Sequence, residues 1–231
     1  MIGDPVALTV RRRFERPAAA LVARFSGLPT GFVTDAMNGA GAMNYRIKPI
    51  APEMSFCGVA VTAFCPPMDN LAVMAALDFV EAGDVIVVGT QGSEAAGIVG
   101  DLWASGAKAR GVVGVVTDGL VRDVPGLLKV GLPTFAIGHN PNSGFKNGPG
   151  SINLPISCGS IAVEPGDIVV GDRDGIVVVP RLQAAVIAER LEAVKKKEAD
   201  MEAIMATPAG ATRSFWDEDA AKSRGGVHYV D

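Results

Sequence analysis

Short apolar runs bounded by glycine punctuate the chain. VAVTAF (59–64), DVIVVG (84–89), GVVGVV (111–116), PTFAIG (133–138), DIVVG (167–171) and GIVVVP (175–180) are rich in β-branched residues. Each is too short for a helix and too continuously apolar for a strand with one wet face, so the pattern predicts buried strands. Between them the apolar positions take up helical spacing. Residues 70–80, NLAVMAALDFV, form one such stretch, with Asp69 or Asn70 as its cap. Residues 97–110 place Ile98, Val99, Leu102, Trp103 and Ala107 on one face. The order strand, helix, strand over 84–116 reads as a βαβ-like unit, right-handed if its strands are parallel. Residues 181–205 predict an amphipathic helix in which Leu182, Val186, Leu191, Val194 and Ile204 are spaced for burial.

Turn chemistry fills the gaps. EAGDVIVVG (81–89) and EPGDIVVG (164–171) each set Gly-Asp in a tight turn before a buried strand, and Asp174-Gly175 suits a hairpin corner. The stretch GHNPNSGFKNGPG (138–150) is a loop by composition. Beyond 205 the periodicity weakens, yet Phe215 and Trp216 argue against a disordered tail. The expected organisation is one domain over 1–205 and a C-terminal extension over 206–231, docked on the body or on a neighbouring subunit.

A chain of 231 residues that is 48% hydrophobic can bury one large core. Its net charge of -4 argues against nucleic acid as a partner, since phosphate-backbone binding needs clustered positive charge. The basic run Arg11–Arg13 reads as a solvated segment. It precedes PAAALVA in the manner of a twin-arginine export signal, but that apolar run is too short and Arg24 closes it. No uncharged apolar stretch is long enough to span a membrane. The expected location is cytoplasmic. Three scattered cysteines, Cys57, Cys65 and Cys158, fit a reducing compartment. With two histidines, His139 and His228, a histidine-based metal site is excluded, and any metal would need oxygen ligands.

The stretch GDLWASGAKARGVVGVVTDGLVRD (100–123) carries the candidate chemistry. Asp101 falls in the first turn of a helix, where free N–H groups and a positive dipole favour an anion, and Gly97 and Gly100 allow close approach. The chain then passes through a buried strand to Arg122-Asp123. In an α/β sheet such ends gather at the carboxyl edge of the strands, so Asp101 and Asp123 are expected to converge.

The spacing of Asp101 and Arg122-Asp123 resembles the motif of the class II pyruvate aldolases that cleave 4-hydroxy-4-methyl-2-oxoglutarate and 4-carboxy-4-hydroxy-2-oxoadipate. PPMDNLAVMAAL, GDVIVVG and VEPGDIVVGDRDGIVVVPR resemble segments of that family in the same order, over 28–181. The family shares its fold with the regulator of ribonuclease E activity A, and some members have been misnamed as methyltransferases. The resemblance implies an α/β chain with a single-domain αββα sandwich, RraA-like and related to swivelling β/β/α domains. It also implies a homo-oligomer, a trimer or a dimer of trimers, with active sites between subunits.

Carried over, the motif implies that Asp123 ligates a divalent metal and that Asp101 holds a water on it. Arg122 would bind pyruvate beside its carboxylate and developing enolate oxygen, and backbone amides of Gly100, Asp101, Leu102 and Trp103 would hold the keto acid's carboxylate. Glu198 of an adjacent subunit would complete the metal site, with Glu202 a weaker substitute. The metal expected is Mg²⁺, with Mn²⁺ as a substitute, because few carboxylates and several waters suit such ions. The implied reaction is retro-aldol cleavage of a 4-hydroxy-2-oxo di- or tricarboxylic acid to pyruvate and a second keto acid through a metal-stabilised pyruvate enolate. Oxaloacetate decarboxylation is an expected side activity, and the alternative is a non-catalytic regulator that binds a ribonuclease.

Other residues read more plainly. Asp118-Gly119 is turn chemistry, Lys108 a solvated helix lysine, His139 a loop residue held by hydrogen bonds, and Met37, Met43, Met68 and Met74 are packing. GAGAMN (39–44) lacks the third glycine and the preceding strand of a dinucleotide site, and no glycine-rich loop supports a methyltransferase. Arg46, Lys48 and Lys146 are candidates for pairing with extra substrate carboxylates.

Overall fold

The computed structural model describes residues 6–230. Its strands are β1 (Leu8–Val10), β2 (Lys48–Pro49), β3 (Phe56–Phe64), β4 (Asp84–Gly89), β5 (Gly97–Val99), β6 (Gly114–Thr117), β7 (Leu120–Val121), β8 (Thr134–Ala136), β9 (Gly138–His139), β10 (Gly150–Ile152), β11 (Ile156–Cys158), β12 (Ile161–Val163), β13 (Ile168–Asp172) and β14 (Gly175–Val179). Its helices are α1 (Ala19–Ala23), α2 (Thr30–Ala36), α3 (Leu71–Ala76), α4 (Asp101–Ala109), α5 (Val124–Val130), α6 (Ala184–Met205), α7 (Pro208–Ala211) and α8 (Glu218–Ser223).

The main sheet runs β1-β10-β3-β4-β6-β8-β2, with β13 also paired to β3 and carrying β14. The neighbours β3, β4, β6 and β8 are parallel, as the expected βαβ-like unit requires, and β13 and β14 form the hairpin around Asp174-Gly175. Strand β4 shows why the sheet is internal. Its Ile86 and Val88 face a core shared with Val73 of α3, Trp103 and Ala107 of α4 and Leu127 of α5. Its Val85 and Val87 face a second core built with Phe56, Phe135, Ile156, Val163 and Val178. Both faces of the strand are dry, so a continuous β-branched run is what the position needs.

The two Gly-Asp turns have the same construction. Asp84 donates its N–H to Glu81 O at 3.2 Å and Asp167 to Glu164 O at 3.1 Å, with Gly83 and Gly166 at φ of 91° and 96°. Each aspartate's Oδ2 also accepts the N–H of the glutamate that begins its turn, at 2.6 Å for Glu81 and 2.9 Å for Glu164. Arg16 reaches across to pair with the buried carboxylate of Asp84.

Three predicted helices change. Residues 97–99 form a strand, so the helix over 97–110 begins only at Asp101; its phase turns Trp103, Ala104 and Ala107 inward and leaves Leu102 86% exposed. The stretch 70–80 is helical over Leu71–Ala76, since Asp78 and Phe79 donate to Ala75 and Ala76 three residues back and close the last turn. Asn70 holds the N-cap position without a side-chain capping bond, and it is Asp69, one residue earlier, whose Oδ1 accepts the Leu71 N–H at 2.8 Å. In α6 the buried stripe is Ala184, Ile187, Ala188 and Leu191, while Val186 and Ile204 are exposed, as is Leu182, which lies before the helix.

The chain divides into two compact units at Leu191/Glu192, within α6. In the C-terminal unit, α7 is capped by the Thr207 hydroxyl and α8 by the Asp217 carboxylate, at 3.0 and 2.8 Å. Phe215 and Trp216 are exposed and line a surface hollow with Met201 and Arg213. Among the described residues no helix is long and apolar enough to cross a membrane.

Candidate active site

A small second sheet positions the candidate residues. Strands β5, β7 and β9 lie side by side and parallel, with Val99 opposite Val121 and Val121 opposite His139. Parallel strands bring their carboxyl ends to one edge. At that edge β5 runs through Gly100 into α4, and β7 runs through Arg122 into α5. The Arg122 N–H donates to Val99 O at 3.0 Å, which ties the two exits together.

Asp123 is the N-cap of α5 and sits in the left-handed region, at φ 57° and ψ 41°. That conformation is uncommon for a residue with a β-carbon, and here it aims the carboxylate back at the β5 exit. The Asp123 Oδ2 accepts the Arg122 Nε–H at 2.8 Å, with both side chains about one-third exposed. A β-carbon on Gly100 would lie 2.5 Å from the same Oδ2, and one on Gly126, in the first turn of α5, would collide with the Asp101 carboxylate. Each aspartate therefore packs against a glycine at the start of the other's helix. Asp101 Oδ1 accepts the Leu102 N–H at 2.8 Å, so that amide is already engaged and cannot be counted among free donors at the start of α4.

The cleft at this edge has a volume of about 200 Å³ and is lined by Gly100, Asp101, Leu102, Trp103, Arg122 and Asp123, together with Asn70, Met74, Ser143 and Lys146. Trp103 is buried, and its indole N–H donates to Val73 O at 3.0 Å. Asn70 forms part of the wall with its amide bonded to Ile98 O at 3.3 Å, while its Oδ1 has no partner among the described residues. Sequence spacing carried no signal for Asn70 or Ser143, and Met74, read as packing, borders both core and cleft.

Of the three basic candidates, Lys146 is at the cleft. Arg46 pairs with Glu94 at 2.7 Å and Lys48 donates to Asp174 O; both line a separate hollow with His139, which is an exposed strand residue rather than a loop one. Lys108 donates to Val130 O at 2.6 Å and so closes the end of α5. Asp118 accepts the N–H and hydroxyl of Thr90 at 2.6 and 3.0 Å, consistent with a turn role. Glu198 and Glu202 stand on α6 in the C-terminal unit, Glu198 half-buried and Glu202 exposed. Among the described residues no group of three or more His, Cys, Asp or Glu is arranged to hold a metal ion. Asp101 and Asp123 supply hard oxygen donors at one cleft, and such a pair fits an ion that keeps several waters, as Mg²⁺ does.

Burial makes the thiols poor nucleophiles. Cys57 and Cys65 are pushed up to about 12 by desolvation, and Cys158 is raised well above the usual thiol range for the same reason.

Comparison with known proteins gives a consistent picture. The family model described as "RraA-like: Aldolase/RraA" matches residues 30–178. A protein of Halalkalibacterium halodurans named "Putative 4-hydroxy-4-methyl-2-oxoglutarate aldolase" is 37% identical over 182 residues, 79% of this chain and 85% of the relative. Among solved structures, an uncharacterized protein from Pseudomonas syringae pv. tomato superposes with a TM-score of 0.76 at 26% identity, covering 87% of this chain and 93% of the other. The RNA-processing inhibitor RraA from Thermus thermophilis superposes with a TM-score of 0.61 at 28% identity, over 66% of this chain and 93% of its own.

Proposed function

The chain belongs to the RraA-like family, with its αββα fold, and on that footing we propose that it is a pyruvate-releasing lyase, a class II aldolase of 4-hydroxy-2-oxo di- or tricarboxylic acids. The observation that carries the reading is the meeting of Asp101, Arg122 and Asp123 in one cleft at the start of α4.

The substrate's C1 carboxylate lies at the α4 N-terminus, where helix amides and dipole favour an anion. Removal of the 4-hydroxyl proton breaks the C3–C4 bond, and the electron pair passes to the former C2 keto oxygen as the pyruvate enolate. Arg122 is the fixed positive charge beside that oxygen, and its Nε bond to Asp123 holds the guanidinium in place before the substrate arrives. Protonation at C3 then releases pyruvate. Asp101 faces the same space and orients the water that takes the hydroxyl proton. Asp123 and Asp101 would hold a divalent cation, Mg²⁺ or Mn²⁺, whose chemistry is to polarise the keto acid and offset the charge that develops. Glu198 of a neighbouring subunit completes the site in a trimer or a dimer of trimers. Oxaloacetate, whose decarboxylation yields the same enolate, is an expected second substrate.

The other reading is a non-catalytic regulator that binds a ribonuclease, supported by the similarity to the Thermus inhibitor. Binding alone gives no reason for a cation and two carboxylates to share one cleft. The two readings separate in a coupled assay of pyruvate release from 4-hydroxy-4-methyl-2-oxoglutarate and from oxaloacetate, with Mg²⁺ or with EDTA. Release that EDTA abolishes is expected; none from either compound favours the regulator.

A further inference from the structure

Lys146 occupies a segment fixed unusually well for one so exposed. On one side of it, Phe145 donates its N–H to Met68 O at 2.7 Å, and Phe145 O accepts the Asn70 N–H at 2.8 Å. On the other, the N–H groups of Asn147 and Gly148 both donate to Asp69 Oδ2, at 2.6 and 3.0 Å. Asp69 is 4% exposed, and its second oxygen accepts the Leu71 N–H at the start of α3. A buried carboxylate thus joins the start of α3 to both residues that follow Lys146. Further back, Gly97 of β5 donates to Asn142 O at 3.0 Å, which ties the same segment to the strand that leads into the site.

The side chain this framework presents is unengaged. Lys146 lines the cleft with Arg122, Asp101 and Asp123, and among the described residues it forms no hydrogen bond or ion pair. Arg122 is committed to Asp123 and to the reacting end of the substrate. Lys146 is therefore the cleft's uncommitted cation. A lysine is a compact, mobile point charge, suited to a carboxylate whose position varies with substrate length.

We propose that Lys146 selects the substrate by holding the distal carboxylate of a 2-keto dicarboxylic acid whose first carboxylate lies at the α4 N-terminus, and that Asp69 is the residue that positions it. This rests on the keto-acid reading above and names what discriminates among keto acids.

Two unreactive probes of equal length test it. 2-Oxoglutarate and 2-oxopentanoate differ in the terminal carboxylate, and neither has a 4-hydroxyl to cleave. Calorimetric titrations in Mg²⁺ are expected to show the wild type binding 2-oxoglutarate about 10-fold more tightly, the size of one charge-assisted hydrogen bond. Lys146→Ala should erase that preference with 2-oxopentanoate binding intact, and Lys146→Arg should keep most of it. Asp69→Asn, which sets an amide against two N–H donors, should reduce the preference in the same selective way. Equal binding of both probes by the wild type, or a preference that survives Lys146→Ala, overturns the role of Lys146 and leaves keto-acid binding standing. Binding of neither probe removes the keto-acid reading and this proposal together. If Asp69→Asn weakens both probes equally, its role is support of the fold and not positioning.

Discussion

The carboxylate of Asp123 rests against the α-carbon of Gly100, so close that a β-carbon at Gly100 would lie 2.5 Å from Oδ2. The contact joins the residue that would hold a cation to the helix start that would hold the substrate's carboxylate. It acts with the Arg122 N–H bond to Val99 O and the Gly126–Asp101 contact to set the two helix starts in register. Gly100→Ala should displace the Asp123 side chain and lower kcat for pyruvate release by roughly 100-fold, as misplacements of about 1 Å do. Circular dichroism and thermal melting check that the fold survives; an unchanged kcat would show that the contact can relax.

Arg122 is expected to act on the developing charge and less on the ground state. Arg122→Ala should reduce kcat by on the order of 10²-fold, the size found for removal of an oxyanion donor. Steady-state kinetics separate this from simple loss of binding, which would raise KM and leave kcat unchanged.

Trp103 offers a contrast within the same turn of helix. Its ring is buried in the core and its indole N–H satisfies Val73 O at 3.0 Å. Trp103→Phe should therefore cost about 1–2 kcal/mol of stability, because the buried indole N–H bond to Val73 O is lost. Denaturant unfolding measures the loss, while kcat is expected to stay within about twofold because the backbone amide remains.

The thiols give a pH prediction. Only the thiolate reacts with iodoacetamide, and desolvation pushes Cys57 and Cys65 up to about 12, so each should react roughly 10³-fold more slowly than an exposed thiol at pH 8. The sign follows from burial: the charged form is the one disfavoured, so labelling should rise tenfold per pH unit through pH 9 and 10. All three cysteines should label together in denaturant. Mass spectrometry of quenched samples reads both.

Much of this architecture is legible in the sequence for local reasons. The run DVIVVG is a strand because all its side chains are buried, and the shared Glu-x-Gly-Asp turn of 81–84 and 164–167 repeats down to its side-chain hydrogen bond. The pairing of Asp101 with Arg122-Asp123 is local in the same sense, since one helix and two short strands, α4, β6 and β7, separate them.

What the sequence does not reveal is set by short elements and distant partners. Strands β5, β7 and β9 have only two or three residues each, too few to show a period of two, so 97–99 reads as the start of a helix. That error puts Leu102 on the buried face. In α6 the apolar spacing offers two stripes, and which one is covered depends on tertiary packing; Ile187 and Leu191 are buried and Val186 is not. The hold of Asp69 on Asn147 and Gly148 spans 78 and 79 residues, and no periodicity records it.

The proposed chemistry belongs to the Asp101, Arg122 and Asp123 cleft. Its most direct test is kcat/KM for pyruvate release from 4-hydroxy-4-methyl-2-oxoglutarate in Mg²⁺, wild type against Asp123→Ala, with thermal melting as the check on folding. A fall of at least about 10³-fold in a folded variant is predicted, since the substitution removes both a carboxylate that would hold the metal and the partner of Arg122. A folded Asp123→Ala variant that releases pyruvate at the wild-type rate would contradict the assignment.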